Sequence, residues 1–412
     1  MNKRLLRAVI GVGLVLVLVL ALPLPLMSGC AKAPPETIKI GHIVPLTGDL
    51  SFIGKPYVNA ATLAVDQINA AGGVLGRKIE IITEDTATNP TTAVDALQKL
   101  ITVDKVQAVV GPATSAESIA CIPKLVANKV VMISPSATSV ELTTMRAKDD
   151  EFFFRTAPPD DAVAAATAIE AWNKGYRTAN VIGRDDTLGR SLDTLFIKKF
   201  EELGGKIGVE VIYDPKAPDL SSYVAKVSSV PADVIDVNPL MEDAIKLFKL
   251  FHDTGIMSKY KFLGSEGIQD PTIPKAVGVD VMVGVGGASS YPKGSGTFVK
   301  DFTARFGVAP SSYEANVYDN FVLLALAIEK AGKYDGTAIR DNLRAVANPP
   351  GVEVTDVAEA LRLVREGAEI NYQGAGGEIT FDEFGDVFMK AARVWEYDEE
   401  GQYSYIREIE IF

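Results

Sequence analysis

From residue 38 onward, short apolar runs alternate with longer stretches in which apolar residues recur every three or four positions. The first pattern reads as buried strand and the second as amphipathic helix. Residues 38–45 are predicted as a strand, and 58–71 as a helix stopped by Gly72 and Gly73. Strands follow at 78–83, 106–110 and 130–134. Asn89 before Pro90 supplies a cap and a first-turn proline, which opens a helix running to about residue 103. The next helix covers 115–128. The cycle then restarts, with strands at 152–156, 179–182, 206–213, 234–237, 262–263 and 281–285. Helices at 161–172, 189–203, 219–229 and 242–253 lie between them. Such alternation implies parallel sheets with helices on both faces. The units are too many for one ordinary core, so the predicted fold class is α/β, with two doubly wound lobes. The last stretch differs. Residues 297–306, 311–331 and 337–347 read as helices, and 374–395 as a strand hairpin turning at 382–385.

The N-terminus carries a different pattern. Lys3, Arg4 and Arg7 precede an uncharged apolar run over residues 8–26, and Met27, Ser28, Gly29 and Cys30 follow. A basic start, an apolar segment and small residues before a cut form an export signal. Met27-Ser28-Gly29-Cys30 resembles a bacterial lipobox, so residues 1–29 are predicted as a lipoprotein signal. Cys30 is then the lipidated new terminus and 30–36 a tether. The alternative is a single membrane-spanning helix, opposed by Pro23 and Pro25 within the run. Either way the bulk of the chain is placed outside the cytoplasm, at the periplasmic or cell-surface face of the membrane.

Charge narrows the partners. The chain has 41 basic and 53 acidic residues. The three basic residues lie in the signal, which leaves the remainder at −15. A nucleic-acid partner needs a basic footprint, and adhesion to anionic lipid needs the same sign. Neither is expected; the lipid on Cys30 would do the anchoring. Of the two cysteines, only Cys121 remains after lipidation, in an apolar setting that suits an inert buried thiol. His42 falls in a predicted core strand and His252 at a polar helix end. Neither a metal site nor a Ser-His-Asp triad is expected. No phosphate-binding glycine loop occurs, and Gly284, Gly286 and Gly287 read as turns where the chain crosses between lobes. No cofactor is implied. No serine sits in a nucleophile elbow, which argues against a hydrolase.

In open α/β sheets the ligand crevice lies beyond the carboxyl ends of the strands, where helix N-termini present free N–H groups. Two exits combine small residues with hydroxyls: Gly111-Pro112-Ala113-Thr114-Ser115 and Ser134-Pro135-Ser136-Ala137-Thr138. Ser115 also reads as the N-cap of its helix. These groups suit a carboxylate; alternatively the hydroxyls only cap helices. A third exit carries Glu266, between Ser265 and Gly267. Donors on one lobe facing an acid on the other suit a zwitterion, whereas a lone glutamate is more commonly a solvated loop residue.

An ordered set of motifs resembles the type I periplasmic binding proteins, in the branched-chain amino acid and amide-binding group of ABC importers. The set comprises Ile38-Lys-Ile-Gly-His-Ile-Val-Pro-Leu-Thr-Gly48, Ala64-Val-Asp-Gln-Ile-Asn-Ala-Ala-Gly-Gly73 and Gly76-Arg77-Lys78. It continues through Val110-Gly-Pro-Ala-Thr-Ser115, Ile133-Ser-Pro-Ser-Ala-Thr138 and Tyr318-Asp319. It ends with Tyr372-Gln-Gly-Ala-Gly-Gly377 and Phe381-Asp-Glu-Phe-Gly385.

The resemblance implies two lobes joined by three crossovers that close on a ligand. The expected division is 37–157 with 290–370, and 158–289 with 371–412. It implies binding without chemistry, and delivery of an amino acid, branched-chain or similar, or a related small carboxylate or amide to a permease; the alternatives are a sensing role toward a membrane receptor, or the same transport role with an aromatic acid or amide ligand. It places the ligand's carboxylate and ammonium at Ser115, Ser136, Ala137 and Thr138, and the ammonium also at Glu266. Tyr313 falls at an aromatic cleft position. Ile53 and Leu188 stand where leucine-binding relatives carry aromatics, and Pro239-Leu240 lacks an expected tyrosine. These departures fall on the side-chain pocket.

Overall fold

The computed structural model describes residues 36–145, 151–290, 296–311, 313–389 and 391–411. The predicted signal, residues 1–29, and Cys30 lie outside these residues.

The first sheet contains β1 (Ile38–Val44), β2 (Ile79–Asp85), β3 (Ala108–Val110), β4 (Val131–Ser134) and β5 (Phe153–Arg155). Its order is β2-β1-β3-β4-β5, and every pairing is parallel. Residues of β3 and β4 are buried throughout, as expected for strands covered on both faces. Helices Ser51–Ala70, Pro90–Thr102 and Ser115–Asn128 connect consecutive strands. The Asn89 side chain accepts from the N–H groups of Thr91 and Thr92, with Pro90 in the first turn. Helix Glu314–Ala331 packs into the same core and is buried continuously from Asn316 to Ile328. From Phe321 to Ile328 it is apolar on all sides, and such a stretch belongs inside.

The second sheet begins with β6 (Thr178–Arg184), β7 (Lys206–Tyr213), β8 (Val234–Asn238), β9 (Lys261–Gly264) and β10 (Gly286–Ser290). A small sheet of β11 (Val352–Val354), β12 (Ile370–Gly374) and β13 (Gly377–Glu378) follows in the chain. Then β14 (Ala391–Tyr397) and β15 (Tyr403–Glu410) complete the second sheet, in the order β15-β14-β10-β9-β8-β6-β7. β14 runs antiparallel to both neighbours. Separate apolar clusters back the two faces of this sheet.

Three expectations are corrected. Residues 279–282 form a helical turn rather than a strand, and the strand begins at Gly286. The alternating valines 281, 283 and 285 imitate strand periodicity. The true strand is rich in small residues because it threads between β9 and β14. A Cβ on Gly287 would sit 1.8 Å from the Gly264 carbonyl oxygen, and one on Gly286 2.4 Å from that of Trp395. Gly286 and Gly287 are therefore strand residues, while Gly284 is a turn with φ +78°. Finally, Tyr372, Ile379, Phe381 and Val387 pack in the first core, so the chain joins the second sheet only at β14. The expected hairpin is a single antiparallel bridge, Phe381 to Val387.

Candidate functional site

The two strand exits of the first lobe are stitched together. Gly111 adopts φ +105°, and a side chain there would strike the Ile43 carbonyl. Thr114, not Ser115, caps helix Ser115–Asn128. Thr114 Oγ1 accepts from Glu117 N at 3.2 Å, and Glu117 Oε2 accepts from Thr114 N at 3.0 Å. This reciprocal box satisfies the helix end and releases the Ser115 hydroxyl. Ser115 Oγ accepts from the N–H groups of Thr138 (3.2 Å) and Ser139 (3.1 Å). Ser136 Oγ donates to the Ala113 carbonyl at 2.8 Å. Ser134 Oγ donates to the Pro112 carbonyl at 2.7 Å and accepts from Ala137 N at 3.1 Å. Ser115, Ser136, Ala137 and Thr138 therefore form one knot.

A buried arginine holds the knot from below. Arg155 Nη1 donates to the carbonyls of Ala137 (3.1 Å) and Ser139 (2.9 Å). Its Nε and Nη2 grip the Asp386 carboxylate at 2.7 and 2.9 Å, and neither side chain is more than 3% exposed. Desolvating such a pair is costly unless every donor is used, and this guanidinium uses all three nitrogens.

The second lobe meets the knot through Asp160. Its N–H donates to the Thr138 carbonyl at 2.8 Å. Burial pushes its carboxyl up to about 7; the Thr138 and Ser191 hydroxyls and the Arg155 charge oppose that rise. Arg184, paired with Asp186 at 2.5 Å and with Asp243, also lies 3.7 Å from Asp49 of the first lobe.

Glu266 stands at the β9 exit. Oε1 accepts from the N–H and hydroxyl of Ser290, and Oε2 from the Tyr313 hydroxyl at 2.8 Å. Both carboxylate oxygens are held by neutral donors. Burial and the Glu266 charge raise the Tyr313 phenol well above its ordinary range, so it stays a donor. Glu266 and Tyr313 line a cavity of about 430 Å³, with Ser290, Thr156 and Asn316 also on its wall. Ser115, Ser136, Ala137 and Thr138 are not on that wall; Asp160, which bonds the Thr138 carbonyl, senses the Glu266 charge. Ile53 is half-buried against the first core and Leu188 against the second. Leu240 leans on the first core.

His42 is buried edge-on to Phe321, and burial lowers it to about 3, which keeps the ring neutral. The Cys121 thiol is buried and pushed up to about 12. Among the described residues no cluster of histidine, cysteine and carboxylate side chains is placed to hold a metal.

Sequence reasoning missed Tyr57, Arg155, Asp160 and Asp386. Arg155 had a readable signal, a charge ending the apolar run Phe152 to Phe154. Tyr57 lies one residue before the predicted helix start, because the helix begins about two turns earlier, at Ser51. Asp386 belongs to a turn whose partner is far away in sequence, and nothing local points to it.

A family model described as periplasmic binding protein matches residues 37–367. The chain belongs to that family. More narrowly, it is a type I periplasmic binding protein of the branched-chain amino acid group. The Leu/Ile/Val-binding protein BraC3 of Rhizobium johnstonii is 27% identical over 370 residues, covering 88% of this chain and 92% of the relative. The chemotactic signal transduction system substrate-binding protein BasB of Halobacterium salinarum is 26% identical over 371 residues, covering 84% and 83%. The solved leucine binding protein LivK of Thermotoga maritima superposes with a TM-score of 0.76 at 26% identity, over 91% of this chain and 99% of that one. The two α/β sheets are thus those of this periplasmic binding protein fold. The family is one of exported solute-binding proteins rather than enzymes. No helix among the described residues is long and apolar enough to cross a membrane.

Proposed function

We propose that this periplasmic binding protein is the solute receptor of an ABC importer and captures an amino acid, or a closely related carboxylate or amide, between its lobes. The observation that carries the reading is the pairing of a donor knot on one lobe with an uncompensated carboxylate on the other. Thr138 and Ser139 present two adjacent N–H groups, both now spent on Ser115 Oγ. A ligand carboxylate takes them over when the Ser115 side chain rotates and adds its own O–H. Exchanging neutral hydrogen bonds for charge-assisted ones is favourable. Because the donors are already fixed, little ordering is required on binding. The ammonium goes to Glu266, whose present partners are all neutral.

Closure follows from differential affinity: a ligand touching both lobes stabilises the closed form over the open one. The covalent lipid on Cys30 would keep the receptor beside its permease. The names of relatives such as BraC3 support an amino-acid ligand. The name of BasB supports a second reading, in which the loaded protein signals to a membrane receptor.

Calorimetric titration with a panel of amino acids tests the binding reading. A micromolar ligand requires about −8 kcal/mol, and Ser115→Ala and Glu266→Ala should each weaken it while the protein stays folded. Unchanged affinity in both variants rejects this site. Loss of labelled amino-acid uptake in a deletion strain supports transport; intact uptake with a lost chemotactic response supports sensing. Mass spectrometry of the mature N-terminus tests the anchor, which an unmodified Cys30 rules out.

A further inference from the structure

Two polar groups beside the knot are buried without a hydrogen-bond partner: Tyr57 Oη and Glu314 Oε2. Each residue is 2% exposed. Buried polar groups are nearly always satisfied, so two orphans in one place call for a physical reason. They are neighbours. The Glu314 charge acts on the Tyr57 phenol, and the Ser136 hydroxyl lies beside it with its own proton directed at the Ala113 carbonyl. Tyr313 in turn senses Tyr57 while bonding Glu266 of the other lobe. The pair therefore lies between the knot and Glu266, where the ligand's two charged groups are placed.

Helix geometry relates Tyr57 to the side-chain position of the amino-acid reading. Tyr57 follows Ile53 by four residues in helix Ser51–Ala70, and residues four apart share one helix face. Ile53 is the first-lobe residue that the resemblance assigns to the ligand's side chain, and Tyr57 shares its helix face; Ser311 and Tyr313, next to Glu314 in the chain, line the cavity that holds Glu266. Glu314 spends Oε1 on the N–H and hydroxyl of Ser311, at 3.1 and 2.9 Å. Its second oxygen remains available, and a carboxylate oxygen accepts a donor.

We propose that Tyr57 and Glu314 read a hydrogen-bond donor on the ligand's side chain, so that this receptor selects an amino acid bearing a hydroxyl, amide or amine there over an aliphatic one. The inference rests on the amino-acid reading above and narrows its ligand class. An aliphatic side chain would leave both groups unpaired against hydrocarbon. A donor-bearing one satisfies them, and sites built to bond a polar group discriminate sharply against analogues that lack it. Ile53 and Leu188 supply the apolar remainder of the pocket without an aromatic lid.

Two ligand pairs of nearly equal shape test this by calorimetry: threonine against valine, and asparagine against leucine. The polar member of at least one pair should bind about tenfold tighter, the scale set by one unsatisfied buried group. Tyr57→Phe removes a single oxygen and should cost the polar member most of that advantage while leaving the aliphatic member unchanged. Equal or tighter binding of the aliphatic member in both pairs overturns the proposal. So does a Tyr57→Phe variant that weakens both members alike, since that marks a merely structural role. Binding by none of the four, nor by any other amino acid, rejects the amino-acid reading itself and this inference with it. An aliphatic preference leaves that reading standing.

Discussion

Removing the charge of Asp386 should destabilise the first lobe strongly, and removing Arg155 should do so further. The Arg155–Asp386 pair is bidentate, and its side chains are 0% and 3% exposed. Asp386→Asn preserves shape but leaves a buried guanidinium without its counter-charge. Breaking one partner of a buried pair costs about 3–5 kcal/mol. Arg155→Met leaves the Asp386 carboxylate buried and also strips the donors from the Ala137 and Ser139 carbonyls. Each orphaned carbonyl adds about 1–3 kcal/mol. The order of stability should therefore be parent, then Asp386→Asn, then Arg155→Met. Urea unfolding followed by circular dichroism measures it, with the slope compared across variants so that midpoint shifts report stability. The same arginine fixes the loop carrying Thr138, so the surviving folded fraction of Arg155→Met should also bind ligand more weakly. A loss below about 1 kcal/mol in Asp386→Asn refutes the reasoning, as does Arg155→Met proving the more stable of the two.

Two further predictions separate roles that lie close together. Thr114→Ala removes the helix cap and should cost about 1 kcal/mol of stability with ligand affinity retained; Ser115→Ala should lower affinity with little change in the unfolding midpoint. In the second lobe, the Asn238 amide donates to both Asp193 (3.0 Å) and Asp236 (2.6 Å). Burial, reinforced at Asp193 by its neighbour's charge, raises these carboxyls to about 8 and about 7. Because both folded values lie above the unfolded ones, the fold binds protons that the unfolded chain has released. Their contribution is complete below the unfolded carboxylate range, is lost progressively as pH rises from that range, and is gone once pH passes about 7 to about 8. Urea midpoints should fall over that window, and Asp193→Asn should flatten the fall; a midpoint that rises with pH contradicts this account.

Most of the element order was legible in the sequence because strand and helix periods differ and the caps are local. Helix Ser115–Asn128 and strand Lys206–Tyr213 lie where the pattern predicts them. The Asn89-Pro90 cap works as read. The role of Ser115 was readable only in part. Thr114 and Glu117 stand three apart, which is the signature of a capping box, and that box frees Ser115 for the Thr138 and Ser139 N–H groups. Strand β10 was obscured because its close approach to β9 and β14 demands glycines, which weaken any local strand signal. The path of residues 371–387 was misread for a different reason. Tyr372 and Phe381 are apolar enough for either core, and only long-range pairing decides between them. Asp160 and Asp386 escaped because their partners, Thr138 and Arg155, are brought to them by the fold and not by sequence spacing.

The central claim is that a ligand's carboxylate and ammonium are divided between the Thr138 knot and Glu266. Calorimetry of the best-binding amino acid and its des-amino carboxylate, on the parent protein and Glu266→Gln, tests it most directly. The parent should prefer the amino acid by about tenfold or more, as a charge-assisted bond in a buried site requires, and Glu266→Gln should erase that preference. Equal binding of the two compounds by the parent, or an undiminished preference in Glu266→Gln, would contradict the assignment of Glu266 to the ammonium.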